Sequence, residues 1–225
     1  MKSKLIIAID GPAGSGKSTV AKEVAKRLGL IYVDTGAMYR ALTFKAVRKK
    51  IDPNNAEALI DLAKKTDICL ETDESLRLYV KLDGEDVSEE IRTPFITNNV
   101  KYVACIKSVR KAMVNLQRKA AMGKGAVLEG RDIGTVVFPD ADIKIYLDAT
   151  IDERVRRRYK ELIIKNPDIT IEEVKKDVAF RDKSDAERSV GPLKKADDAI
   201  LIDTTRLTIP QVVARILDEV NAGKK

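Results

Sequence analysis

Nine consecutive residues near the start of the chain, Gly11-Pro12-Ala13-Gly14-Ser15-Gly16-Lys17-Ser18-Thr19, have the spacing G-x-x-x-x-G-K-[ST]. This spacing builds a phosphate cradle. Glycines let the main chain wrap closely around phosphate oxygens, the amides point inward, and the helix N-terminus that follows adds positive potential. All nine residues are expected to contact ATP. Lys17 is expected to reach the β- and γ-phosphates, and the Ser18 hydroxyl to sit on Mg²⁺ or its water shell. The plainer alternative is a glycine-rich turn with an accidental lysine. It fits poorly, because an apolar run precedes the motif and a helical pattern follows it.

Other groups could act beside this cradle. Thr35 follows the apolar run Ile31 to Val33, where a strand gives way to a helix. Its hydroxyl either caps that helix or binds an acceptor phosphate there. Arg40, five places on, could lie against the same phosphate or remain in solvent. Arg131 and Asp132 follow the run Ala126 to Leu128. Ligands of open α/β sheets bind beyond the carboxyl ends of strands, which suits Arg131 to phosphate. Asp132 could accept a hydrogen bond from a ligand amine, or form a local Arg–Asp ion pair. Arg181, Asp185 and Arg188 are spaced i, i+4, i+7, which puts them on one helix face; a surface ion-pair ladder is one reading of them. Arg154, Arg156, Arg157 and Arg158 form a dense cationic turn, with Arg154 and Arg158 on one face. Such a run is commonly a solvated helix face.

The elements that must hold these residues follow from the apolar periodicity. Leu5 to Ile9, Ile31 to Val33, Ala126 to Leu128, Ile143 to Leu147 and Ala199 to Ile202 read as buried strands separated by helices. That rhythm predicts a parallel sheet covered on both faces. Thr150 with Glu153, Thr170 with Glu173 and Thr208 with Gln211 read as capping boxes at helix starts. The stretch from Asp67 to Arg92 breaks the rhythm. Ile68 to Leu70 and Leu76 to Leu82 alternate, and Asp83-Gly84 is a hairpin signal, so a small antiparallel insert is expected over the substrate side.

Composition narrows the chemistry. The 225 residues contain no histidine and two cysteines, Cys69 and Cys105, without metal-like spacing. Histidine-based nucleophilic catalysis and histidine-ligated zinc are excluded. The net charge of +7 is spread along the chain and aromatics are only 4%, which favours a cleft for polyanionic nucleotides over a nucleic-acid surface. No apolar run approaches a membrane span and no signal-peptide cleavage pattern is visible, so a cytoplasmic protein is expected. The D-x-x-G and N-K-x-D motifs of switch GTPases do not occur, nor does the Asp-Gly-Phe-Pro-Arg segment typical of adenylate kinases.

The chain resembles bacterial cytidylate kinases from end to end. The resemblance rests on Asp10 to Ser18, Asp34 to Arg40, Asp83 to Ser88, Ile91-Arg92-Thr93, Gly130 to Ala141 and Arg181 to Asp185. It implies an α/β fold, a doubly wound five-stranded parallel sheet of the P-loop kinase type with a nucleotide-binding insert and a helical lid. It implies one kinase domain over residues 1–225, with the insert at about 60–110 and the lid at about 150–170. The implied activity is Mg²⁺-dependent phosphorylation of CMP and dCMP by ATP, in a monomer that engages neither nucleic acid nor membrane. The resemblance assigns Thr35, Arg40, Arg110, Arg131, Asp132, Arg181, Asp185 and Arg188 to the acceptor. Asp185 would face ribose hydroxyls, and Arg181 and Arg188 the phosphate or base. Arg154 and Arg158, in the lid-like segment, would close on the transferring phosphoryl group. The chain departs from the family pattern where Lys101 stands at a usual base-contacting serine, and where Lys107 replaces a proline ahead of Val109-Arg110.

Overall fold

The computed structural model describes residues 5–73, 77–123, 125–164 and 166–222. Five parallel strands, β1 (Ile6–Asp10), β2 (Ile31–Asp34), β6 (Ala126–Gly130), β7 (Ile143–Asp148) and β8 (Ile200–Asp203), lie in the order β2-β6-β1-β7-β8. Each expected apolar run is a strand. Each strand runs one or two residues past its run, to Asp10, Asp34, Gly130, Asp148 or Asp203. The polar ends therefore collect along one edge of the sheet. Consecutive residues Ile7, Ala8 and Ile9 are all fully buried, as are Ala126, Val127 and Leu128. Neighbouring residues of a strand point to opposite faces, so helices cover both sides. Helix α1 (Lys17–Leu28) packs with α8 (Ile209–Ala222), and α2 (Thr35–Arg48) packs with α5 (Lys107–Ala121).

The insert is a three-stranded antiparallel sheet of β3 (Ile68–Thr72), β4 (Leu78–Leu82) and β5 (Glu85–Asp86), with helices α3 (Ala56–Lys64) and α4 (Pro94–Ala104) on either side in sequence. Leu76, expected to open the second strand, lies outside the described residues. Asp83 and Gly84 turn the chain from β4 to β5 with φ of 51° and 89°, the left-handed pair that a two-residue hairpin needs. Leu78, Val80 and Leu82 face inward and join the main core with Met38 and Leu42 of α2. Buried Lys45 of α2 ties the turn down, its ammonium 2.5 Å from Asp83 and 3.0 Å from Thr66 Oγ1.

Helices α6 (Ile151–Leu162) and α7 (Ile171–Ala186) form a hairpin with a small core of its own, Val155, Val174 and Val178. Only one of the three expected capping boxes is complete. Thr170 and Glu173 exchange both bonds. Gln211 accepts from the Thr208 N–H at 2.9 Å. Thr150 makes no side-chain cap bond, because Glu153 is drawn away to Arg156 and Arg157 and the Thr150 N–H goes to Thr205 Oγ1 at 3.0 Å. No helix among the described residues is long and apolar enough to cross a membrane.

A Thr170→Ala change removes a working N-cap and should lower stability by about 1 kcal/mol. Thr150→Ala should cost only a few tenths by the same reasoning. Urea-unfolding midpoints of the two variants check this, and equal losses would contradict it.

Candidate active site

Strand register sets polar residues side by side at the carboxyl edge. Asp34 pairs with Glu129, Asp10 with Gly130 on one side and Tyr146 on the other. Between β1 and α1 the glycine-rich loop bends through Gly14 at φ 78° and Gly16 at φ 90°. A Cβ on Gly14 would meet Arg154 at 3.0 Å, so glycine is required twice over there. Lys17 and Ser18 open α1, directly behind this loop.

Lys17 is buried, and its ammonium curls back to donate to the Pro12 carbonyl at 2.6 Å. Burial and then the neighbouring Arg131 cation push its pKa down to about 7, against the pull of Glu129, Asp185 and Asp10. Glu129 is buried too. It accepts from Tyr32 Oη at 2.5 Å and from the Ser18 hydroxyl, and burial with the nearby Asp34 raises its pKa. Asp10, pushed up to about 6 by burial, accepts from the amides of Ile133 and Gly134 at 2.9 and 2.8 Å. It thereby anchors the turn that presents Arg131 and Asp132.

Those two residues leave β6 in different directions. Arg131 Nε lies 2.7 Å from Asp185 of α7, and Asp185 is also 3.5 Å from Arg188. Asp132 pairs closely with Arg110 of α5, both buried, and Arg110 stands over the Tyr39 ring at 5.5 Å. The local Arg131–Asp132 ion pair is thus replaced by two longer-range pairs. Thr35 does not cap α2. Asp34 does, accepting from Ala37 N at 2.7 Å, while Thr35 donates to the Glu129 carbonyl at 2.7 Å. Arg40 rests on Asp34 at 3.1 Å.

The expected Arg181, Asp185, Arg188 face is only partly realised. Helix α7 ends at Ala186, so Arg188 lies past the helix, bonded to the Gly191 carbonyl at 2.9 Å. Arg181 pairs with Asp177 at 3.0 Å, not with Asp185. Arg154 and Arg158 differ sharply. Arg154 is buried and spent on protein, bonding Asp182 at 2.7 Å, the Ala149 carbonyl at 3.0 Å and the Ala13 carbonyl of the glycine-rich loop at 3.2 Å. Arg158 reaches Glu161 at 2.7 Å. Arg157, named in the cationic turn but not assigned to the site, bonds Thr204 at 3.0 and 2.7 Å and passes 3.7 Å from where a Gly16 Cβ would be.

Among the described residues, the buried side-chain polar atoms without a partner include Tyr39 Oη and the Nε atoms of Arg40, Arg110, Arg158 and Arg188. These five are donors; the two remaining unpartnered atoms, Gln117 Oε1 and Asp182 Oδ1, are acceptors. Buried donors are normally satisfied, so this set is what an anionic, oxygen-rich ligand would complete. Ser18 and Glu129 also present adjacent hard oxygens of the kind Mg²⁺ takes, with its remaining positions left to phosphate and water.

A glycine-rich strand-to-helix loop at a parallel-sheet edge, with its buried lysine and surrounding arginines, defines the P-loop kinase class. A solved shikimate kinase from Acinetobacter baumannii shares the fold, with TM-score 0.50 and 16% identity over 99% of this chain and 96% of its own. Within that class the chain belongs to the cytidylate kinase family, whose model matches residues 7–222. A cytidylate kinase of Bacillus cereus is 50% identical over 98% of each chain. One from Caldanaerobacter subterraneus is 50% identical over 97% of this chain and 96% of its own.

The lysine makes a thermodynamic prediction. Burial lowers the pKa of free Lys17 to about 7 and a bound polyphosphate should raise it again, so nucleotide binding at pH 8 should take up a proton. Calorimetry of ADP binding in two buffers of different ionisation heat should show that uptake. Lys17→Met should abolish it, and a buffer-independent heat for the unmutated protein would contradict the assignment.

Proposed function

We propose that the chain transfers the terminal phosphoryl group of ATP to CMP and dCMP, as a monomer in the cytoplasm acting on free nucleotides. The observation that carries this reading is the set of unpartnered donors, Tyr39, Arg40, Arg110, Arg158 and Arg188, around the two pairs Arg131–Asp185 and Arg110–Asp132.

In this reading the loop Gly11 to Thr19 holds the ATP phosphates through its backbone N–H groups, Pro12 having none, and Lys17 spans the β- and γ-phosphates. Thr35, Arg40 and Arg131 hold the acceptor phosphate. Asp185 takes the ribose hydroxyls, Arg181 and Arg188 lie toward the phosphate or base, and Arg110 with Asp132 takes the cytosine edge. An acceptor phosphate oxygen attacks the γ-phosphorus in line, a new P–O bond forms, and the bond to the β–γ bridging oxygen breaks to release ADP. The acceptor is already an anion near neutral pH, so no protein base is needed. Mg²⁺, held beside Ser18 and Glu129, would neutralise charge on the phosphates. Arg158 retains an unpartnered buried Nε for the transferring group, whereas Arg154 is better suited to bracing the P-loop and acting through it. Closure of the α6–α7 hairpin would exclude water and so prevent plain hydrolysis.

Base preference follows from Asp132. A carboxylate accepts from the cytosine amine but meets the uracil carbonyl acceptor to acceptor, and an unpaired buried polar group costs about 1–3 kcal/mol, roughly 5- to 150-fold. ADP release with ATP and a panel of monophosphates should rank CMP and dCMP above UMP and AMP in kcat/KM. Asp132→Asn should narrow the gap between CMP and UMP. Equal CMP and UMP efficiencies in the unmutated enzyme would sink the acceptor assignment.

A further inference from the structure

Lys101 lays its ammonium over aromatic rings. It sits on α4 with its Nζ 4.7 Å from the ring centre of Phe180 on α7, and 5.1 Å from that of Tyr102. One turn back on the same face of α4, Asn98 Oδ1 accepts from Arg181 Nη2 at 3.1 Å. Phe180 and Arg181 are neighbours in sequence, so the two contacts lie side by side and join the insert to the lid hairpin. Phe180 is 52% exposed, so the Lys101 contact is a partly solvated one.

The two helices joined in this way flank the proposed acceptor site. The C-terminal carbonyl of α4, on Ala104, accepts from Arg110 at 3.3 Å. Further along α7, Asp185 holds Arg131. We propose that Lys101 and Phe180 form a latch between α4 and α7 that closes the acceptor cleft, making both of them positioning residues and leaving base discrimination to Arg110 and Asp132. This rests on the acceptor reading given above. The latch tightens the hold on any acceptor that fits the cleft, whatever its base.

The test is a set of four variants, Lys101→Met, Phe180→Leu, the double variant and Lys101→Arg, with CMP and UMP at saturating Mg-ATP. A partly exposed cation–aromatic contact should be worth about two- to five-fold. Both single variants should therefore raise KM for CMP and UMP alike by that factor, with kcat and the CMP:UMP ratio kept. The double variant should be no worse than either single one, and Lys101→Arg should keep the normal KM. Amide hydrogen exchange, read without any turnover, should speed up in α4 and in the Phe180 turn of α7 in both single variants. Additive KM effects, unchanged exchange, or a change confined to the CMP:UMP ratio would overturn the latch; the last would make Lys101 a base reader. Failure of the unmutated protein to phosphorylate CMP would remove the acceptor reading instead, and the exchange data would still decide the contact.

Discussion

A buried ammonium at the start of α1 conditions the whole carboxyl edge of the sheet. Taking Lys17 out of water is costly, and Arg131 nearby adds to the cost. The fold offsets it with three carboxylates from different elements, Glu129 on β6, Asp185 on α7 and Asp10 on β1. None of the three is free to relax. Glu129 is held by Tyr32, Asp185 by Arg131 and Asp10 by two amides of the turn after β6. The same bonds that make the lysine tolerable therefore fix the turn carrying Arg131 and Asp132.

The α6–α7 hairpin is attached to that edge through arginines. Arg154 links the α6–α7 hairpin to the P-loop carbonyl of Ala13, and Arg131 links α7 to the end of β6. The hairpin has only a small core of its own, so these polar links and the α4–α7 contact carry much of its placement. The insert is different. Leu78, Val80, Leu82 and Ile91 belong to the main core, which makes it a packed extension of α2 and not an appended lobe.

The five strands were readable because each is an uninterrupted apolar run, and the P-loop because its spacing has few other uses. The strand ends were less readable, since the polar residues that finish each strand look like loop in sequence. Glu129 was hidden for that reason, and Tyr32 because its partner lies 97 residues away across a strand register that sequence does not reveal. Capping by Thr35 was one of two readings, and Asp34 caps α2 instead: both are good capping types, and only the backbone decides between them. Arg154, Arg157 and Arg158 share one helix and one composition. What separates a buried brace from an available cation is the position of Asp182, Thr204 and the Ala13 carbonyl, all distant in the chain.

In the proposed reaction the buried Lys17 charge acts in the phosphoryl step, and the surrounding carboxylates and amides hold it there. Rapid-quench measurement of CDP formation from ATP and CMP, with the unmutated protein and with Lys17→Met, tests it most directly. Methionine keeps the stem and removes the charge. The account predicts a folded variant that binds CMP normally and forms CDP about two to three orders of magnitude more slowly. CDP formation at a near-normal rate in a folded Lys17→Met protein would contradict it.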